Sequence, residues 1–284
     1  AFPGCQDPAA SLEASGPMSA QRSHQPLTHR RVFAIAVPVM VSNVSTPLLG
    51  VVDTGVMGRI PDPAYIGAVA LGALIFNFVY WAFSFLRMGT TGLTAQALGA
   101  GDDAELRAGL GRALLLAGGV GVALVGLQWP IREVAFAFID GSDKVEGLAR
   151  AYFDVRIWSA PATLANYALL GWFIGLGRTD IGLVLQLVLN LTNMILDVLF
   201  VLGFGGGVQG IALGTVMAEL VAVAVGLVVA LRFVRRLPGR WSLRSLLQRD
   251  RLKPTLGVNV DIMIRTLALL AAFVWFTTQG AQQG

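Results

Sequence analysis

Long apolar runs separated by short polar connectors dominate the chain. Val32 to Val52, Pro63 to Leu86, Ala113 to Ile131, Ile157 to Gly177 and Thr266 to Gly284 contain no charged residue. Ile181 to Phe204 is interrupted only by Asp197, and Val208 to Leu231 only by Glu219. About 20 largely apolar residues are needed for a helix to cross a hydrocarbon layer about 30 Å thick. The pattern therefore predicts seven spans, approximately 32 to 58, 64 to 97, 108 to 130, 148 to 176, 179 to 203, 208 to 233 and 255 to 279. Backbone exposed to lipid must satisfy its own hydrogen bonds, and these runs are too long and too rich in Ala, Leu and Gly for barrel strands. The expected fold class is an all-α polytopic membrane protein.

Composition supports this reading. Of 284 residues, 55% are apolar and 13% charged, against roughly a quarter charged in a soluble domain. One cysteine, Cys5, excludes an internal disulfide framework, and two histidines, His24 and His29, make a histidine-ligated metal centre an unpromising idea. Residues 1 to 28 hold no apolar run, so they are expected to form a disordered leader rather than a signal peptide or a first span.

Lys and Arg concentrate in cytoplasmic loops, so their placement predicts orientation. With the amino end inside, the inner segments hold fourteen (Arg22, Arg30, Arg31, Arg107, Arg112, Arg178 and the eight from Arg232 to Lys253), while the outer ones hold only Arg59, Arg132, Lys144 and Arg150. The amino end is expected inside. The run from Arg232 to Lys253 reads as a headgroup-facing cytoplasmic connector, not a nucleic-acid site.

Ionisable residues at membrane depth are costly and mark candidate sites. Asp53 lies six residues before Arg59, and Asp197 six before Gly203, each about 9 Å below the outer surface by helical rise. Thr215 and Tyr152, on descending spans, fall at similar depth. Asn193 is one turn deeper than Asp197 on the same face, and Asn190 continues the stripe. Together these side chains are expected to form a polar cluster that carries a proton, or coordinates Na⁺ at Asp53 and Asp197. The competing reading has Asp53 and Tyr152 facing the interface and Thr215 bonded to its own helix.

Weaker candidates are Glu219, four residues after Thr215, and Asp261 with Arg265, spaced as an i, i+4 pair in the seventh span. Glu219 suits a second proton site or a packed acid, and the pair a charge-neutralised structural or gating role. Pro38, Pro47 and Pro161 are expected kinks, either hinges or static bends. Gly171 with Gly175 and Gly210 with Gly214 are expected close helix contacts. The chain shows no catalytic constellation, phosphate loop or metal-ligand spacing, so neither an enzyme nor a resident cofactor is expected.

The segment Leu49-Gly50-Val51-Val52-Asp53-Thr54-Gly55-Val56-Met57-Gly58 resembles the first helix of the multidrug and toxic compound extrusion (MATE) family. Thr94-Ala95-Gln96-Ala97, Gly175-Leu176-Gly177-Arg178-Thr179 and Asn190-Leu191-Thr192-Asn193-Met194-Ile195-Leu196-Asp197 extend the likeness. Asn259-Val260-Asp261-Ile262-Met263-Ile264-Arg265-Thr266 and Phe276-Thr277-Thr278-Gln279-Gly280 resemble the subgroup named after DNA-damage-inducible protein F. The resemblance implies a monomeric secondary antiporter of the cytoplasmic (inner) membrane with twelve helices in two lobes. It would expel small, often cationic, organic compounds against inward H⁺ or Na⁺, with Asp53, Tyr152, Asn193, Asp197 and Thr215 as the ion-coupling network.

On that pattern, 29–236 would be the amino-terminal six-helix lobe, 237–253 the basic connector and 254–284 the first helix of an incomplete second lobe. A truncated or partially assembled gene product is the corresponding expectation. A flippase for lipid-linked sugars shares the two-lobe architecture and would need a strongly basic cavity. A non-transporting fragment is the other alternative.

Overall fold

The computed structural model describes residues 29–137 and 142–237, together with most of 257–279. The expected leader at 1–28 and, beyond Leu237, the basic connector lie outside the described residues. Among the described residues the α-helices run in order: α1 (His29–Met57), α2 (Ala64–Ala82), α3 (Phe85–Ala100), α4 (Asp103–Gly126), α5 (Gln128–Ala137), α6 (Asp143–Arg156), α7 (Ala160–Gly175), α8 (Thr179–Asp197) and α9 (Gly207–Val234). A further helical stretch follows between 257 and 279. Among the described residues, four helices are long and apolar enough to cross a membrane: Ala64–Ala100, Asp103–Gly126, Thr179–Gly203 and Gly207–Val234. The second of the seven predicted spans therefore corresponds to α2 and α3 in sequence, joined through Phe83 and Ser84.

Several spans are less regular than their composition suggested. The fourth is two helices, α6 and α7, joined by a 3-10 turn at Ile157–Ser159, with Pro161 in the first turn of α7. Proline suits that position, because its missing N–H would have no helical partner there. Pro38 and Pro47 instead lie inside α1, which stays helical throughout. The third span ends at Leu127 and restarts as α5. A π-helical segment, Val198–Gly203, extends α8 immediately beyond Asp197.

Between α3 and α4 the chain reverses at Gly101, whose φ of 70° is left-handed. Glycine meets no steric penalty there. Asp102 then caps α4 by accepting the Glu105 N–H at 2.9 Å.

Small residues let the helices approach. On α7, Gly171 faces the Arg87 carbonyl of α3, and a Cβ on Gly175 would stand 2.7 Å from the Thr91 carbonyl oxygen. Gly121 of α4 lies against the Pro161 backbone, and Gly210 and Gly214 of α9 lie against Phe200 and Asp197. Both predicted glycine pairs thus sit at close contacts. Two apolar clusters fill the space between helices. One centres on Phe76, Phe153 and Ile211, with the Phe76 and Phe153 rings stacked 5.1 Å apart. The other centres on Trp172, whose indole N–H donates to the Leu106 carbonyl at 3.1 Å.

Many large apolar side chains face outward, among them Phe33, Trp129, Ile195 and Phe276, as lipid contact permits. The connectors collect charge. Lys144 pairs with Asp62, tying the α1–α2 turn to α6. Arg150 bridges Glu133 and Glu146, both at 2.9 Å, and Arg132 reaches Asp154. Near the α3–α4 turn, Arg107 donates to the carbonyls of Val234 and Leu237 and so anchors the end of α9.

Two predictions follow from these contacts. Gly175→Ala should destabilise the fold by about 1–3 kcal/mol through overpacking. Gly182→Ala, whose Cβ would find Leu170 at an ordinary 3.7 Å, should be neutral or stabilising. Thermal unfolding in detergent would compare the two. The second concerns acid. Lys144, and secondarily the Ala64 N–H, hold the Asp62 carboxyl below its ordinary value of 3.8. A carboxyl lowered in the folded state contributes stability that is complete above its unfolded value and lost as pH falls through the folded one. The melting temperature should therefore drop as pH falls below about 4, and drop less in Asp62→Asn.

Candidate functional site

Helices α1, α6, α8 and α9 converge on a group of polar side chains inside the bundle. Asp197, the last residue of α8, is wholly buried, and Asn193 lies one turn earlier, also wholly buried. Their spacing of four residues puts both on one helix face. Opposite them on α9 is Gly214, where any side chain would collide with the Asp197 carboxylate, and next to it Thr215. The Asn193 carboxamide is satisfied when its nitrogen faces Asp197. It then donates to Asp197 Oδ2 at 3.0 Å, and its oxygen accepts from the Thr215 N–H at 3.1 Å and hydroxyl at 3.2 Å. The Thr215 hydroxyl is also 3.0 Å from the Ile211 carbonyl, so its one proton serves two acceptors.

Asp53 of α1 reaches the same point. Its carboxyl lies within hydrogen-bonding reach of Asp197. Each acid has a buried Oδ1 that no donor among the described residues satisfies. Two carboxylates facing one another with little water present cannot both remain ionised and unshielded. A proton or small cation between them would relieve both. The oxygen donors supplied by Asp53, Asp197, Asn193 and Thr215 suit either.

Tyr152 is buried on α6 beside this pair, its ring against Gly72 and edge-on to Phe76 at 6.3 Å. It lies beside Arg156, one turn on, whose charge acts on it. Arg156 joins two acidic clusters. Its charge acts on Asp53 and Asp197, while its Nη2 lies 3.9 Å from Glu219 Oε1. It also contacts the Ser159 hydroxyl and lies over the Phe76 and Tyr80 rings at 5.4 and 5.6 Å. Glu219 receives a short hydrogen bond, 2.6 Å, from Asn166 of α7.

The structure therefore brings Asp53, Tyr152, Asn193, Asp197 and Thr215 together, and connects Glu219 to them through Arg156. Asn190 is buried one turn below Asn193, where its carboxamide oxygen accepts from Gln186 at 3.0 Å. Asp261 and Arg265 stand apart. Both are exposed, and no ion pair joins them among the described residues; side chains free to point outward gain little from closing an i, i+4 pair.

The hydropathy pattern does not single out Arg156, which lies inside the span expected at 148 to 176 but borders its charge-free part. Its i+4 relation to Tyr152 was the available signal. Arg87 was also passed over. Both line a cavity of about 610 Å³ together with Trp81, Tyr167, Asn190 and Glu219.

A family model described as MatE matches residues 38–199. DNA damage-inducible protein F of Escherichia coli (strain K12) is 39% identical over 255 residues, covering 90% of this chain and 56% of that protein. Protein DETOXIFICATION 44, chloroplastic, of Arabidopsis thaliana is 28% identical, covering 89% and 50%. The chain spans about half the length of the curated relatives it matches. A solved structure described as the outward-facing conformation of a multidrug resistance MATE family transporter of the MOP superfamily superposes with a TM-score of 0.77 at 21% identity. That likeness covers 88% of this chain and 55% of the other, and it shows a shared fold.

The contact of Gly214 with Asp197 generates a prediction. Gly214→Ala should displace the carboxylate and cost about 1–3 kcal/mol. Adding Asp197→Ala should restore much of the lost stability by vacating that space, giving a non-additive double-mutant cycle in thermal unfolding.

Proposed function

Since the chain belongs to the MATE family, we propose that it forms the amino-terminal lobe, with the first helix of the second, of an ion-coupled antiporter that exports drugs or other toxic organic compounds. The observation that carries this is the facing of Asp53 and Asp197, two carboxyls with orphaned buried oxygens, on separate helices. With a proton or Na⁺ between them, α1 is held against α8 through their side chains. Without it the two charges repel, and α1 has reason to move. Binding of an ion is thereby converted into a choice between two packings, as alternating access requires.

Within this reading 29–236 is the first lobe and 237–253 the inter-lobe connector. The inner excess of Lys and Arg supports an amino end in the cytoplasm of an inner-membrane protein. The adjoining cavity would receive the substrate. Its wall includes two arginines and one glutamate, too few cations for a cavity dedicated to polyanionic lipid-linked sugars, which favours drug export over the flippase reading. The work is transport, with no chemical step asked of these residues.

Asp53→Asn in the full-length protein, reconstituted in proteoliposomes, should reduce gradient-driven efflux to the rate seen without a gradient while leaving the protein folded. Imposing pH and Na⁺ gradients separately identifies the coupling ion. Undiminished efflux by Asp53→Asn under both gradients would overturn the assignment.

A further inference from the structure

The cavity beside the ion site has an uneven charge economy. Glu219 is the acid in its wall, and it is already engaged by Asn166 at 2.6 Å and faces Arg156. Arg156 in turn is occupied by Ser159 and the faces of two aromatic rings, with Tyr152 one turn before it. Arg87 differs. It is exposed to the cavity and, among the described residues, makes no ion pair or side-chain hydrogen bond.

Its position is firmly held. The Arg87 carbonyl accepts from the Thr91 hydroxyl at 2.8 Å, and its backbone packs against Gly171 of α7. The break at Phe83 and Ser84 lies one turn before it. Arg87 is thirteen residues from the end of α3 at Ala100, about 20 Å by helical rise, and so sits deep in the span. A guanidinium at that depth without a counter-charge is costly, and a ligand that supplies one gains what the protein leaves unanswered. Around it, Phe78, Trp81, Tyr167 and Leu170 offer flat apolar surface.

We propose that this cavity selects amphipathic molecules carrying one anionic group, a carboxylate or sulfonate, with Arg87 binding the anion and the aromatic wall receiving the apolar body. This rests on reading the cavity as the substrate chamber. A cationic ligand finds only an acid that is already paired, whereas an anion finds an unpaired donor fork carried on a firmly packed stretch of backbone.

The test uses the full-length protein in phosphatidylcholine nanodiscs with no ion gradient, and two probes sharing one ring system: 8-anilinonaphthalene-1-sulfonate, and neutral N-phenyl-1-naphthylamine. Binding is read as energy transfer from tryptophan, after subtraction of empty nanodiscs, with Trp81→Phe to localise the signal. Arg87→Gln should weaken the sulfonate probe about ten-fold and leave the neutral one unchanged, with Arg87→Lys in between. An unchanged ratio between probes, or an equal loss of both, would overturn the proposal. Displacement of the sulfonate by nanodiscs rich in phosphatidylglycerol would assign Arg87 to a lipid headgroup and overturn it as well. Because no gradient is applied, failure of ion-coupled efflux would leave the result standing, and failure here would leave coupling intact.

Discussion

A charge buried where little water reaches must be answered by another charge or by hydrogen bonds, and the centre of this bundle is organised around that constraint. Arg156 is the buried cation on which Tyr152, Ser159, Glu219 and, through its field, Asp53 and Asp197 converge. Those groups come from α1, α6, α8, α9 and the turn before α7. Remove the cation and three acids lose the favourable charge that makes their burial tolerable. The helices therefore have an electrostatic reason to adopt one arrangement, which uniformly apolar faces in lipid would not supply.

Close packing is the complementary requirement. Gly214 clears room for the Asp197 carboxylate, Gly72 for the Tyr152 ring and Gly171 for the Arg87 carbonyl. Each glycine places a polar group rather than simply narrowing a gap. Irregular backbone occurs beside the same groups: a 3-10 turn follows Arg156, a π-helical segment follows Asp197, and the α2–α3 break precedes Arg87. Such departures change which face a side chain presents. They lie where the polar residues have to be aimed inward.

The spans were legible because lipid leaves no alternative to long apolar helices. The fifth, expected at 179 to 203, coincides with α8 and its π-helical extension, and the sixth with α9. Depth arithmetic brought Asp53, Tyr152, Asp197 and Thr215 to one level, with Asn193 one turn deeper, since rise per residue is constant along a helix. Arg156 and Arg87 lie inside the spans expected at 148 to 176 and 64 to 97, but each borders a charge-free run, and hydropathy does not tell whether such a cation turns outward or into the bundle. The Asp261 and Arg265 spacing permitted a pair, but spacing alone does not decide whether two exposed side chains close on each other.

By itself the sequence determined which segments form long apolar helices and how the polar groups are spaced along them, because hydropathy and helical rise are local properties. Only the tertiary structure decided which faces meet. That Asp53 faces Asp197, that Glu219 is reached through Arg156, and that Arg87 opens onto a cavity depend on helix rotation, glycine contacts and breaks in the backbone. Those are settled by packing between segments distant in the chain, and no single segment encodes them.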